Sequence, residues 1–355
     1  MNRLTLAVAG GRKTQSVVDD CLAAPKGSKI LALTYTQNNQ QELVSRLAPY
    51  RPLEAHVEVQ GWFSFLLRHW VRPYLPARFP GRRLHGLNFD GDPGRFAKGE
   101  GKFLDSEGRA YKRHLAQLAL ETDQASSGAV LDRLSRIYDV VYIDEVQDLN
   151  GYDLEVLEAL MASPIDLNLV GDVRQALILT NVRDPKKKQY KGINIKKWFE
   201  DHARRGDLEI LHNSTTWRSN QIIADFADSI FDDSWGFSKT VSQNTVITGH
   251  DGVFAVSPEH VPEYVTRYKP LCLRYNANSA KSLDLPFINI GMAKGLGVER
   301  VIIGPTSGMI NFLSKGKRLD DIPCCSLYVA VTRARASVTF VADNPDRLGL
   351  PVWMP

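Results

Sequence analysis

Short apolar runs alternate with amphipathic stretches along most of the chain. Residues 4–9 are apolar and give way to a small-residue turn and an amphipathic segment over 14–24. Residues 30–34 form a second apolar run, and 38–47 carry a helical pattern. The alternation resumes at 140–143, 153–161, 167–171 and 194–204. Short buried strands separated by helices predict an α/β fold, a parallel sheet with helices on both faces. Between about Arg72 and Arg113 the pattern breaks, with Pro73, Pro76, Pro80, Gly81, Gly91, Pro93 and Gly94 among arginines. An irregular inserted subdomain, about 72–125, is expected there. A second α/β block opens near Leu208, with strand-like runs at 208–211, 253–256, 287–290, 301–304 and 338–341. The expected division is a first domain over 1–206, interrupted by the insertion, and a second over 207–355.

Composition narrows the class. The 355 residues include 44 Lys and Arg against 40 Asp and Glu, a formal net charge of +4, and 43% hydrophobic residues. These values fit a globular chain of two or three domains and exclude disordered, collagenous and coiled-coil proteins. No apolar run approaches the ~18 residues of a membrane span, and the first residues lack a basic-plus-apolar leader. A cytoplasmic protein without a membrane partner is expected, with Cys21, Cys272, Cys324 and Cys325 as reduced thiols. So small a net charge leaves the question of partners to local clusters. Arg183, Lys186, Lys187, Lys188, Lys191, Lys196 and Lys197 form one, and Arg78, Arg82, Arg83, Arg95, Lys98 and Lys102 another, in the insertion. Such groups either neutralise nucleic-acid phosphates, giving salt-sensitive binding, or are solvated loops; those of the insertion also suit a protein partner.

Two motifs carry chemistry. Residues 140–148 read Val-Val-Tyr-Ile-Asp-Glu-Val-Gln-Asp. An apolar strand there delivers Asp144 and Glu145 at its carboxyl end, where α/β sheets place ligands. In a nucleoside triphosphatase the first acid holds Mg²⁺ and the second orients and deprotonates the attacking water. Upstream, Gly10, Gly11, Lys13 and Thr14 lie between a strand and a helix, where a phosphate loop belongs. The usual pattern puts glycine directly before the lysine, but Arg12 stands there, and the loop is about two residues short. Two outcomes stay open: a tighter loop that binds phosphate through Lys13 and Thr14, or a damaged one. Further on, Gly171-Asp172 ends a strand with Gln175 beyond it, Trp217 and Arg218 precede a helix, and Arg333 and Arg335 precede the last strand.

In order and spacing these segments resemble the superfamily-one helicases of the UvrD/Rep/PcrA type. The resemblance runs through residues 31–36, 59–65, 143–148, 171–175, 273–276, 294–296 and 328–335. It implies two RecA-like parallel-sheet domains of the P-loop NTPase class, with ATP and Mg²⁺ as cofactors and single-stranded DNA as partner. Carried over position by position, it implies that Gly10, Gly11, Lys13 and Thr14 bind phosphate, that Thr14 and Asp144 hold Mg²⁺, and that Glu145 is the general base. Gln175 then senses the γ-phosphate, Arg218 and Arg333 are arginine fingers, and Trp217 stacks on adenine. Tyr35, Thr36, Trp62 and Lys294 fall on segments that line DNA; core packing is the other reading of Trp62.

The chain also departs from that family. The residues before the first strand leave no room for the usual adenine-reading glutamine segment. Ile178 and Thr180 stand where base-stacking aromatics are usual, and Asn289, Gly291 and Gly297 replace a threonine, a histidine and a glutamate. The stretch between the fourth and fifth motifs is too short for the large second inserted domain, so a compact variant is expected. The first expected function is an ATP-driven single-stranded DNA translocase or helicase. The alternative is a nucleotide-gated DNA-binding subunit that regulates a partner nuclease, and a third reading is a helicase fold that no longer binds nucleotide.

Overall fold

A computed structural model describes residues 2–50 and 52–355. The first sheet has six strands: β1 (Arg3–Ala7), β2 (Lys29–Thr34), β3 (His56–Gly61), β4 (Val140–Ile143), β5 (Asp166–Gly171) and β6 (Glu209–Asn213). Their order is β3-β2-β4-β5-β1-β6, and the β2–β3, β2–β4 and β4–β5 pairings are parallel. β2 is buried at every position but its first, because a central parallel strand is covered on both faces. Val17, Val18, Leu43 and Leu47, from the helices Lys13–Ala23 and Gln37–Leu47, pack onto Ile30 and Ala32 of β2.

The second sheet has five strands: β7 (Gly252–Val256), β8 (Leu271–Arg274), β9 (Ile288–Asn289), β10 (Val298–Gly304) and β11 (Ala334–Val341). They lie in the order β7-β11-β10-β8-β9, all parallel. Val256, Tyr264, Cys272, Ile302 and Trp353 form a core beneath it. The α/β class with parallel sheets is thus as expected. The chain divides into two compact units. One comprises the residues through Thr5 with Lys13–Gly171 and Leu179–Leu211; the other comprises Leu6–Arg12, Asp172–Ile178 and His212–Pro355.

Two expectations are corrected. The apolar run at 208–211 does not open the second block: it becomes β6, at the edge of the first sheet. Its mixed exposure is that of an edge strand, and propensity alone does not say which sheet a strand joins. Irregular structure also begins later than Arg72. Helix runs from Trp62 through a wide-turn stretch, Leu66–Val71, into Arg72–Arg78. A wide turn, in which the Arg72 N–H reaches back to the Leu67 carbonyl, moves the preceding carbonyls out of the path of the Pro73 ring. Beyond Arg78 the insertion holds a two-stranded parallel pairing of Gly86–Asn88 with Arg109–Tyr111.

Candidate functional site

β4 runs its apolar residues into the core and ends at Ile143, so Asp144 emerges at the carboxyl edge of the sheet. Asp144 is only 4% exposed. Its Oδ2 accepts the Thr14 hydroxyl at 3.0 Å, and its Oδ1 accepts the Glu145 N–H at 2.8 Å. Thr14 is in the first turn of the helix Lys13–Ala23, whose first residue, Lys13, is buried. Burial pushes the Asp144 carboxyl up to about 6, aided by the charge of Glu145 and opposed by Lys13 and the Thr14 hydroxyl. Phosphate-loop and acid-strand residues from opposite ends of the first domain therefore meet at one point.

Glu145 sits in the left-handed backbone region at φ 56°, a conformation sparsely used by residues other than glycine and concentrated at functional sites. Its carboxylate accepts the side-chain amide of Gln147. Gln147 lies against Gly171, the last residue of β5, where a Cβ would collide with it and with Val146. Neither Gln147 nor Gly171 was singled out as a support for the acid pair. Among the described residues no three His, Cys, Asp or Glu side chains converge as a metal cage.

The second unit has its own cluster. Arg333 is 1% exposed. Its Nε donates to the Val329 carbonyl at 3.0 Å, and its Nη2 to the Gln175 amide oxygen at 2.9 Å. Gln175 in turn donates to Asp172 at 2.9 Å. The Tyr328 hydroxyl donates to the same carboxylate at 3.1 Å while accepting the Ala9 N–H at 3.1 Å. Arg174 is buried against the Tyr328 ring, 4.5 Å from its centroid, and donates to Asp228 at 2.8 Å. Arg218 donates to the Thr332 carbonyl at 3.1 Å, beside Gly297, whose missing Cβ leaves it room. Gln175, Arg218 and Arg333 are thus brought together, held by Asp172, Arg174, Asp228 and Tyr328, for which sequence reasoning gave no role.

The loop before Lys13 also belongs to this unit, and its backbone is closed. The Gly11 N–H bonds the Val8 carbonyl at 2.9 Å, and the Trp217 N–H bonds the Gly10 carbonyl at 3.0 Å. The Thr216 hydroxyl donates to the Ala9 carbonyl at 2.7 Å. Gly10 is left-handed at φ 74° and packs on Thr216 and Arg218, a position with no space for a Cβ. Arg12 is left-handed too, at φ 57°. That region is one glycine enters freely and a residue with a Cβ does not. The Arg12 guanidinium lies over the Trp217 ring, 3.7 Å from the centroid.

The residues expected along DNA divide. The ring of Tyr35 meets Phe63 edge-on, 5.7 Å between centroids. Thr36 caps the helix Gln37–Leu47, accepting the Asn39 N–H at 3.2 Å. Lys294 ends the turn after β9. Trp62 is core: it is 1% exposed, and its indole N–H donates to Asp153 at 2.7 Å. Burial pushes the Asp153 carboxyl up to about 6, and its other oxygen meets the Thr180 hydroxyl. Thr180 therefore serves packing, its hydroxyl shared between Asn150 and Asp153. Trp62→Phe is expected to cost about 1–3 kcal/mol in urea denaturation by stranding a buried Asp153 oxygen. Unchanged stability would contradict this packing role. In the basic run, Arg183 pairs with Asp92, Lys186 with Glu155, Lys187 with Glu158 and Lys196 with Glu200.

Residues 106–178 match the family model of the UvrD/REP helicase N-terminal domain. The match supports a helicase family. The matched stretch, well short of half the chain, contains Asp144, Glu145 and Gln175 but neither the phosphate loop nor the arginines of the second unit. Among solved structures, the chain is similar to an Arterivirus nonstructural protein 10 helicase at 13% identity and a TM-score of 0.48, covering 99% of this chain and 62% of that one. The complex of that helicase with DNA gives 12% identity and a TM-score of 0.46, covering 98% and 63%. The chain thus spans less than two thirds of the length of those proteins. No curated protein sequence matches it. Among the described residues no helix is long and apolar enough to cross a membrane.

Proposed function

We propose that the chain is an ATP-dependent single-stranded DNA translocase or helicase of the UvrD type, in a compact variant. The observation that carries this reading is the Thr14–Asp144 hydrogen bond, with Lys13 and Glu145 beside it. A buried carboxyl whose ionisation is opposed by burial and a second acid is a place that a cation relieves. Mg²⁺ fits there. Thr14 and Asp144 would hold it, and when bound it neutralises charge on the phosphates. Lys13 attracts the outer phosphates. Glu145, held by Gln147, takes the proton of the attacking water. Gln175 reports the γ-phosphate, and Arg333 and Arg218 balance charge in the transition state. Trp217 offers a face to the base.

The nucleotide-gated subunit acting with a nuclease is the second reading. It is favoured by the closed backbone of the loop, whose Ala9 and Gly11 amides are engaged within the protein.

The test is the melting temperature with ATP and Mg²⁺ across pH. Millimolar ATP·Mg²⁺ is expected to raise it in proportion to the logarithm of concentration, and Lys13→Ala to abolish the rise. The sign for Asp144 is definite. Its folded pKa lies above the ordinary 3.8. The unliganded protein is therefore favoured by Asp144 protonation at low pH and loses that contribution as pH rises through about 6. Cation binding needs the ionised form, so the ATP·Mg²⁺ shift is expected to fade as pH falls below about 6. No shift at any pH would overturn the nucleotide reading.

A further inference from the structure

We propose that Arg12 is a phosphate ligand which, without nucleotide, rests on the ring that stacks the base. The inference builds on the nucleotide reading above and adds a residue that the usual phosphate loop lacks. Three observations converge on it. Arg12 holds a left-handed backbone at φ 57°, a conformation unfavourable for a residue that carries a Cβ. The arginine stays at the position where glycine avoids that cost. Its guanidinium covers Trp217 at 3.7 Å from the ring centroid, and Trp217 is otherwise 46% exposed. The loop amides that ordinarily cradle phosphate are in part committed, Ala9 N–H to the Tyr328 hydroxyl and Gly11 N–H to the Val8 carbonyl. Phosphate attraction in this short loop therefore passes to the start of the helix and to two adjacent cations, Arg12 and Lys13. A guanidinium is suited to the exchange, because it stacks on aromatic faces and forks onto phosphate oxygens equally well. Base and phosphates then act together: phosphate draws Arg12 away, and the base takes the uncovered ring.

This arrangement gives opposite effects for ligands with and without phosphate. Affinities of adenosine and ATP·Mg²⁺ are measured by calorimetry on the full chain, for wild type, Arg12→Ala and Arg12→Gly. The glycine variant suits the backbone angle and guards against misfolding. Both variants are expected to bind ATP·Mg²⁺ at least about tenfold more weakly, the loss of one charge-assisted contact. Both are expected to bind adenosine about two- to fivefold more tightly, since no cation competes for Trp217. Parallel shifts for the two ligands, or an unchanged ATP affinity, would overturn the assignment of Arg12. Failure of wild type and both variants alike to bind ATP·Mg²⁺ would instead remove the nucleotide reading on which it rests, and Arg12's role with it.

Discussion

Glu145→Gln is expected to lower steady-state ATP turnover by about 10²–10⁴-fold, the usual contribution of a positioned general base, while ATP·Mg²⁺ stays bound. The substitution is close to isosteric, so the effect isolates proton transfer. Glu145 owes its position to its left-handed backbone and to the Gln147 amide, which passes beside the Cβ-free Gly171. Glutamine keeps that place but cannot accept the proton of the attacking water. Phosphate release under steady-state conditions, with retained ATP measured by filter binding, reads both quantities. Turnover close to wild type would remove Glu145 as the base.

Arg333→Lys carries the second large effect. An arginine finger contributes about 10³–10⁵ in turnover, and lysine keeps the charge without the planar fork. Here Arg333 is buried, donating through Nε to Val329 and through Nη2 to Gln175. Lysine cannot make both contacts at once. A fall in turnover of at least about 10³-fold is expected, together with some loss of stability from the stranded acceptors. Arg333→Ala adds a cavity and is expected to cost about 2–4 kcal/mol in urea denaturation. If Arg333→Lys folds and hydrolyses ATP at the wild-type rate, Arg333 is a structural brace and not a finger.

Much of the α/β order was legible because parallel strands are buried on both faces and read as continuous apolar runs, as Ile30–Thr34 and β4 do. The acid pair was legible for the same reason, since it follows such a run directly. Strand membership was not: β6 carries the same local signal whichever sheet it joins. Trp62 was open between packing and DNA because its partner Asp153 lies 91 positions away, and no local pattern announces that contact. Tyr328 belonged to a recognisable segment, but its role arises through Asp172, 156 positions distant. Arg12 in the sequence leaves the loop open between a tighter phosphate site and a damaged one. The left-handed backbone and the Trp217 ring give it a place that neither spacing nor residue type specifies.

The most direct test of the proposed function is the rate of ATP hydrolysis with and without single-stranded DNA, with Glu145→Gln alongside. An ATP-driven translocase gives a basal rate that DNA raises severalfold and that the variant abolishes in both conditions. A rate indifferent to DNA, or no hydrolysis in wild type, would contradict it.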